Sequence, residues 1–387
     1  MKEGWIEKKL SECFRLKSGD NLTSKAMNGG HFPVYGGNGI AGMHDDYNLS
    51  GNNVIVGRVG ALCGIARHVT EEIWLTDNAF KVVDAKYELD NKFLTYLLNY
   101  KNLRSLARQA AQPVISNSSL KCLQLTFPGT IPEQQRIVAI LDEAFEGIAA
   151  ATANAEQNLK NARELFEGYL HSAFDIESED WELHKLGDKG LLTIVDGDRG
   201  TNYPKKADFL NEGHCVFLNT KNVRPDGFSF DVVAYITEEK DQALRKGKLR
   251  RQDVILTTRG TIGNLGLYDQ TVPYDHVRIN SGMLILRPQT DKLLPEYLFE
   301  VMRSGFVKKQ ISARVSGAAQ PQLPIKTLNS FDIPVPKSME AQVDLVSKIR
   351  NLESETKRLE AIYQQKLDAL AELKQSLLHK AFAGELH

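Results

Sequence analysis

Six short segments of the sequence place arginine, lysine or asparagine beside glycine or small polar residues. Arginine and lysine pair with guanine in the major groove of DNA, and asparagine and glutamine pair with adenine. Glycine in these segments permits close approach of the backbone. The segments therefore predict a surface that can contact base edges. The candidate residues are Tyr35, Asn38, Arg58 and Asn78 in the first half of the chain and Lys221, Asn222, Arg259, Arg278 and Asn280 in the second.

For any single one of these residues an ordinary structural role fits at least as well. Gly-Asn pairs are common turn formers, and an arginine after a strand commonly pairs with an acidic group on the surface. Asn78 and Asn280 are predicted to occupy matching places in the two halves. The set is therefore more informative than its members.

The sequence lacks the common motifs of catalysis and metal binding. It has no G-x-x-x-x-G-K-[ST] phosphate loop, no H-E-x-x-H pair, and no C-x-x-C pair among its 4 cysteines. It also lacks the Asn/Asp-Pro-Pro-Tyr/Phe motif of amino-methyltransferases, which act on a flipped base. We therefore expect no catalytic residue, no metal and no cofactor. The scattered carboxylates leave a nuclease without a recognisable motif as an open alternative.

Length and composition predict a two-domain chain of the ordinary soluble type. The 387 residues exceed what one hydrophobic core organises, a limit of about 250 to 300 residues. No apolar run reaches the ~18 residues of a membrane span, and no secretory signal pattern is present, so we expect a cytoplasmic protein. The net charge of -1 argues mildly against DNA binding by the chain alone, because lysine and arginine supply most non-specific affinity for DNA.

A long internal repeat organises the chain. Residues 110–113 (AAQP) recur at 318–321, an offset of 208 residues (318 − 110), and 170–174 (LHSAF) recur as 378–382 (LHKAF) at the same offset. Near the amino terminus WIEKKL matches WELHKL, which begins at Trp181, with a smaller offset. We interpret the pattern as the duplication of a globular unit and a helix, with insertions in the second copy.

Each half is predicted to end in a long helix with a coiled-coil seam. Thr130-Ile-Pro-Glu133 matches a capping box with proline in the first turn, and apolar residues then recur at alternating spacings of three and four. The seam reappears in the second half, where Gly384 is predicted to end the helix. At one seam position both copies are polar, Asn158 and Lys366; these residues either fix the register or lie where the seam faces solvent.

The remaining parts are rich in short β-branched runs broken by glycine, asparagine and aspartate, which predicts mixed α and β structure. The predicted fold class is α+β, with two mixed α/β domains separated by two long helices. Since neither helix would be stable alone, we expect them to pack as an antiparallel coiled coil. The predicted boundaries are 1–131 for the first domain, 132–176 for the first long helix, 177–336 for the second domain and 337–387 for the second long helix.

With these features the chain resembles the specificity subunits of type I restriction-modification systems over nearly its full length. The resemblance implies that each domain is a target-recognition domain for one half of a split, asymmetric DNA site, and that the helices fix the unread spacer. It also implies a subunit with no catalysis of its own. The motifs that carry the resemblance are YGGNG from Tyr35, PEQQRIV from Pro132, WELHKLG from Trp181, DVILTTRGTIG from Asp253 and LHKAFAG from Leu378.

The resemblance implies several partners: double-stranded DNA, two docked methyltransferase (modification) subunits, and restriction (translocase-nuclease) subunits joined through them. The methyltransferase partners can supply phosphate contacts that a nearly neutral chain lacks. The first docking segment, residues 133–136, is aligned by sequence with 340–343, which has no arginine, so the equivalence of the two docking sites stays open. The residues implied in docking are Gln134, Gln135, Arg136 and Gln342.

Two other functions remain as alternatives to this interpretation. A coiled-coil scaffold that never touches DNA would also explain the long helices and the neutral charge. A single-chain enzyme acting on DNA would have to methylate or cleave it without partners.

Overall fold

The fold is that of a mixed α+β protein with a pair of long helices, as the computed structural model shows. Contacts divide the chain into two compact units. Unit 1 comprises Met1–Gln157 and Tyr363–His387, and unit 2 comprises Asn158–Ile362. Each unit therefore holds one β-rich domain and a part of each long helix. The structure describes residues 3–108, 112–174, 179–315 and 322–386, so the repeated AAQP segments lie largely outside it.

Unit 1 is built on a four-stranded antiparallel sheet of order β2-β8-β5-β6 and a three-stranded sheet of order β4-β3-β7. A third pair, β1 with β9, closes the domain beside the long helix. The elements are β1 (Trp5–Lys9), α1 (Leu10–Cys13), β2 (Arg15–Ser18), β3 (Phe32–Gly36), β4 (Gly39–His44), β5 (Asn53–Gly57), β6 (Ala66–Val69), β7 (Trp74–Leu75), β8 (Ala79–Val83), α2 (Asn91–Tyr100), a short 3-10 helix (Leu103–Leu106), α3 (Asn117–Leu120), β9 (Gln124–Pro128) and the start of α4 (Ile131–Ser172).

Unit 2 repeats this topology with a four-stranded sheet of order β11-β19-β16-β17, a three-stranded sheet of order β15-β12-β18 and the pair β10 with β20. The hairpin of β13 and β14 has no counterpart among the described residues of unit 1. The elements are β10 (Trp181–Lys185), β11 (Leu192–Asp196), β12 (Cys215–Leu218), β13 (Val223–Arg224), β14 (Gly227–Phe228), β15 (Tyr235–Ile236), α5 (Glu238–Ala243), β16 (Asp253–Thr257), β17 (Leu265–Tyr268), β18 (Val277–Ile279), β19 (Met283–Pro288), α6 (Pro295–Arg303), α7 (Gly305–Val315), α8 (Ile325–Leu328), β20 (Asp332–Pro336), the start of α9 (Met339–Ala383), and 3-10 helices at Lys206–Asp208 and Thr220–Asn222.

The cores of the two units form in the same way. The middle residues of the central strands β5 and β16, 54–56 and 254–256, are valine, isoleucine or leucine and are buried. Helix α2 packs against β5, and α6 packs against β16. In unit 1, Phe382 near the end of α9 packs against Phe93, with ring centroids 5.5 Å apart. In unit 2, Phe174, just after α4, packs against Tyr297 at 5.8 Å. The repeated L-H-x-A-F motif therefore supplies an aromatic side chain to each core.

The long helices contact each other in both units, and in unit 1 their contacts show that they run in opposite directions. In unit 1, Arg136 near the start of α4 donates a hydrogen bond to the carbonyl of Leu386, while Lys374 lies over the ring of Phe145 at 5.1 Å. In unit 2, Arg163 and Glu360 form an ion pair of 2.8 Å.

The predicted seam is only partly buried. Ala155, Ala162 and Thr356 are buried, but Leu165 and Leu373 are 56% and 46% exposed. The polar seam residues, Asn158 and Lys366, are both exposed, which favours the solvent-facing alternative over a buried register-fixing position. Within the described ranges no helix combines the length and the apolar character needed to cross a membrane.

Candidate nucleic-acid interface

In unit 1 the loop between β3 and β4 lies directly on the turn that follows β5. A Cβ on Gly37 would stand 1.8 Å from the carbonyl oxygen of Val59, so a larger residue would push the two loops apart. The side-chain oxygen of Asn38 accepts a hydrogen bond from the backbone N–H of Leu62 at 2.9 Å. Gly60 has φ +99°, a left-handed value that favours glycine. The two loops therefore form one surface, with Asn38 exposed on it.

Arg58 holds this surface together through its backbone. Its N–H donates to the carbonyl of Asn78, and its carbonyl accepts from the N–H of Ile115, both at 2.9 Å. The half-buried guanidinium donates to the carbonyl of Asp77 at 3.3 Å and lies 5.4 Å from the ring centroid of Phe80. The sequence predicted a base contact for Arg58, whereas the structure directs its described bonds to the loop framework.

An open depression of about 480 Å³ lies between these loops. None of its described lining residues carries a charge. Asn38 and Asn78 line it, together with the half-buried Val59 and the exposed Gln112. Tyr35 does not line it; its hydroxyl lies 3.3 Å from a carboxylate oxygen of Glu71. Partial burial, and then this carboxylate, raise the pKa of Tyr35.

The same backbone framework recurs in unit 2 around Thr258. Its N–H donates to the carbonyl of Gly282 at 2.8 Å, and its carbonyl accepts from the N–H of Leu323 at 3.0 Å. These are the bonds that Arg58 makes with Asn78 and Ile115 in unit 1. Thr258 is therefore the framework counterpart of Arg58.

The residue that follows Arg58 and the residue that follows Thr258 each form an isolated antiparallel bridge. Val59 bridges to Val114, and Arg259 bridges to Gln322. Val114 and Gln322 are separated by the repeat offset of 208 residues (322 − 114). Arg259 therefore occupies the place of Val59, and the two units offer different side chains at one framework position.

The predicted equivalence of Asn78 and Asn280 is wrong. In unit 1 the carbonyl of Asn78 accepts from the N–H of Arg58, and in unit 2 the carbonyl of Gly282 accepts from the N–H of Thr258. Asn78 therefore corresponds to Gly282. The side chain of Asn280 accepts from the N–H of Gly282 at 2.9 Å, just as the hydroxyl of Thr76 accepts from the N–H of Asn78 at 3.3 Å. Asn280 is thus a turn-forming residue that matches Thr76, and its half-buried side chain supports the loop.

Arg278 is an internal residue, which corrects its assignment as a DNA contact. It is 5% exposed, pairs with the carboxylate of Asp241, and donates to the carbonyls of Lys246 at 2.7 Å and Leu244 at 3.1 Å. Burial alone would raise the pKa of Asp241, but hydrogen bonds from Lys248 and Arg278 lower it overall. The guanidinium has no free edge for a base because its donors serve this buried network.

Asn222 is also internal. It is 3% exposed, and its amide donates to the carbonyls of Ser229 and Val232 at 3.1 and 2.8 Å. Its side-chain oxygen accepts from the N–H of Asn219 at 3.0 Å. The amide therefore fixes the turn that presents the neighbouring Lys221, which is exposed.

Arg259 is the best-placed donor of unit 2. Its half-buried side chain makes no hydrogen bond or ion pair within the described residues. A Cβ added to Gly282 would meet the side chains of Thr220 and Arg259 at 3.0 and 3.7 Å, so the loops that carry these residues converge.

Arg199 is an exposed residue beside the same loop that was not among the residues predicted to contact DNA. Its guanidinium lies 3.4 Å from the carbonyl of Ser281 and 3.2 Å from the carboxylate of Asp196. The signal was present as the GDRG segment at 197–200, an arginine between glycines after a strand.

Gln134 and Gln342 are both buried, at 0% and 1% exposure, which corrects their assignment to partner docking. Gln134 accepts from the N–H of Asp90 at 2.8 Å and donates to the carbonyl of Pro128. Gln342 accepts from the N–H of Leu294 at 2.9 Å. Each amide ties the start of a long helix to the domain of its own unit.

The matching hydrogen bonds of Gln134 and Gln342 also correct the alignment of the two docking segments. Because Gln134 matches Gln342, Arg136 matches Asp344 at the same offset of 208 residues (344 − 136). Arg136 pairs with Glu133 at 2.8 Å, and Asp344 pairs with Lys348 at 2.7 Å. The charge at this helix position is therefore reversed between the halves, with Arg136 half-buried and Asp344 exposed. Gln135 is exposed.

Within the described residues, one group of three side chains has ligand atoms close enough for a metal ion: His214, Asp241 and His276, all within 4.8 Å. The two imidazole rings are stacked, 4.1 Å apart and 20° from parallel, so they cannot both point in plane at one ion. Asp241 already bonds to Lys248 and Arg278, whose positive charges oppose a divalent cation. The group fits an ion-pair network better than a metal centre.

The family of the chain follows from its sequence. A family model described as "Type I restriction modification DNA specificity domain" matches residues 2–161 and 178–368. The chain therefore belongs to this family.

Three relatives are named as specificity subunits of type I restriction enzymes. The chain is 30% identical to the EcoprrI subunit of Escherichia coli over 141 residues, which is 35% of each chain. It is 26% identical to the EcoBI subunit of the same species over 151 residues, 39% of this chain and 31% of the relative. It is 22% identical to the MjaVIII subunit of Methanocaldococcus jannaschii over 334 residues, 81% of this chain and 74% of the relative. The chain thus spans about a third of the two E. coli relatives.

Two solved structures have a similar fold. An HsdS subunit from Thermoanaerobacter tengcongensis gives a TM-score of 0.60 at 18% identity, with 100% of this chain and 98% of that chain covered. A chain from work on complex assembly and conformational transition of the type I R-M system gives a TM-score of 0.76 at 17% identity, with 100% and 99% covered. At these identities the likeness concerns the fold alone.

Proposed function

We propose that this chain is a non-catalytic specificity subunit that reads a split, asymmetric DNA site through two target-recognition domains. One observation carries the proposal. The frameworks around Arg58 and Thr258 make the same backbone bonds, yet they present Val59 in one unit and Arg259 in the other. One scaffold with different side chains at equal positions is what the reading of two different half-sites requires.

The exposed groups around these frameworks have the chemistry of base readout. Unit 1 offers the amides of Asn78 and Gln112, which suit adenine, and unit 2 offers Arg259 with the exposed Lys221 and Arg199 nearby. Such loops between secondary-structure elements are common positions for binding residues.

The proposal includes a spacer function for the long helices. We take the domains as 1–131 and 177–336, and the helical segments 132–176 and 337–387 as an antiparallel coiled coil that separates them. Two domains that bind half-sites one turn of the DNA helix apart would need a separation of about 34 to 36 Å. Helices of 42 and 45 residues are long enough for that span, at ~1.5 Å per residue.

The partners in this proposal are double-stranded DNA, two methyltransferase subunits and, through these, restriction subunits. With Gln134 and Gln342 buried, the exposed Gln135 and the surface pair of Arg136 with Glu133 are the docking candidates at the start of α4. Since Asp344 replaces Arg136 in the second half, the two docking surfaces differ in charge. A cytoplasmic location belongs to the same proposal, because the chain would bind DNA and its partner subunits in the cytoplasm.

Footprinting of the complex with the neighbouring methyltransferase tests the proposal. We expect two protected segments of different sequence, separated by an unread spacer. Protection of no defined site would contradict DNA reading and would favour a scaffold. Methylation or cleavage by the purified chain alone would contradict the absence of catalysis.

A further inference from the structure

We propose that unit 1 reads a T·A base pair at the framework position where unit 2 presents Arg259, with Val59 in contact with the thymine methyl group. This inference rests on the proposed function and names one chemical feature of the half-site that unit 1 recognises.

Val59 occupies the place in the framework of unit 1 that Arg259 occupies in unit 2. Val59 and Arg259 form corresponding bridges, to Val114 and Gln322, and each follows the residue that anchors the loops. Arginine at this place suits the two acceptors of guanine, O6 and N7. The valine side chain has no hydrogen-bond donor, so the same place in unit 1 suits an apolar feature of the base edge. In the major groove that feature is the C5-methyl group of thymine.

Val59 is less buried than the neighbouring valines of β5. The neighbouring Val54 and Val56 are at most 2% exposed and belong to the main core of unit 1. Val59 belongs to neither hydrophobic cluster of this unit within the described residues, and it is only half-buried. It lines the open depression instead. Its side chain is therefore available to a ligand.

The other groups of the depression favour the same base pair. Asn78 and Gln112 line it, and neither side chain has a hydrogen-bond partner within the described residues. A free amide can pair bidentately with N6 and N7 of adenine, the partner base of thymine. Asn38 is less suited because its oxygen already accepts from Leu62. With no described charged group in the lining, guanine finds no cationic donor there.

Uracil substitution tests the methyl contact because it removes only that group from thymine. In the complex with the methyltransferase, each thymine of the mapped site is replaced by uracil in turn and the dissociation constant is measured. We expect one position, in one half-site only, to bind about threefold to fivefold more weakly, a loss typical of one buried methyl or methylene group. In the Val59→Ala complex that penalty should disappear, while uracil in the other half-site should have the same effect as in the wild type.

Two further variants sharpen the result. Val59→Thr retains the shape and one methyl group, so it should keep most of the uracil penalty and serves if Val59→Ala fails to fold. Val59→Arg should shift the preferred pair at the same position from T·A to G·C. If no thymine responds to loss of its methyl group, or if the penalty persists in Val59→Ala, the inference is wrong while the proposed function stands. If the wild-type complex protects no defined site, the proposed function itself fails.

Discussion

Gln134 and Gln342 make the same hydrogen bond in the two units. Each is buried in the first turn of a long helix, and its side-chain oxygen accepts from a backbone N–H, that of Asp90 in unit 1 and that of Leu294 in unit 2. Asp90 and Leu294 are the N-cap residues of α2 and α6. The duplication therefore extends to individual side-chain contacts that join each domain to its helix.

Replacement of Gln134 by alanine should destabilise the protein. The change leaves the N–H of Asp90 and the carbonyl of Pro128 without this partner in a buried place, which costs about 1 to 3 kcal/mol. Denaturant unfolding measures the effect. Gln135→Ala is the matched control, because Gln135 is exposed and should change the unfolding free energy by less than about 0.5 kcal/mol. Equal effects of the two variants would show that the buried amide has no special role.

Replacement of Arg259 by alanine should relax the base preference at one position of one half-site. A bidentate contact with guanine contributes about 1 to 3 kcal/mol of discrimination. Binding to a set of sites that differ at single base pairs measures the change. A uniform loss across all sequences would instead identify Arg259 as a phosphate contact.

The buried pair of Arg278 and Asp241 predicts an acid-sensitive contribution to stability. Because the folded protein lowers the pKa of Asp241, the contribution is present above the unfolded value of about 3.9 and is lost as the pH falls through the lower folded pKa. Asp241→Asn should therefore reduce the dependence of the unfolding free energy on pH below about 4. A dependence as steep as that of the wild type would contradict this assignment.

Arg278→Ala should be the more damaging change to this pair. It leaves the carboxylate of Asp241 buried with one cationic partner fewer, and loss of a partner from a buried ion pair costs about 3 to 5 kcal/mol. Thermal or denaturant unfolding measures the loss. An unfolding free energy close to that of the wild type would restore Arg278 as a candidate DNA contact.

Deletion of one matched turn from each long helix should shorten the preferred spacer and leave both half-sites unchanged. Four residues in each helix correspond to about 6 Å, close to the rise of two base pairs. Binding to sites with a series of spacer lengths measures the shift. A change in the base sequence of the half-sites, with no change in the preferred spacer length, would contradict the spacer function of the helices.

The parts of the fold that depend on local pattern were predictable from the sequence. Helix α4 begins at Ile131 and α9 at Met339, one or two residues from the predicted starts, because caps and heptad spacing are local signals. The partners of polar residues were not predictable. Arg278 is buried because it meets Asp241, which lies 37 residues earlier in the chain, and no local pattern announces such a contact.

The candidate site illustrates the same limit. The side chain of Arg259 makes no hydrogen bond or ion pair within the described residues. The guanidinium of Arg58 instead donates to the carbonyl of Asp77 and lies near the ring of Phe80. Both arginines follow a buried strand, but they stand one place apart in the common framework. With that shift of one residue, the guanidinium of Arg58 is bonded to the loop framework and that of Arg259 is not. Only the hydrogen-bond pattern of the loops reveals the shift.

The most direct measurement is the sequencing of methylated positions in DNA from cells that carry this chain with its methyltransferase. We predict one asymmetric motif with two different half-sites and a spacer of constant length. The absence of any motif, or a motif with two identical half-sites, would contradict the central claim that the two units read different DNA sequences.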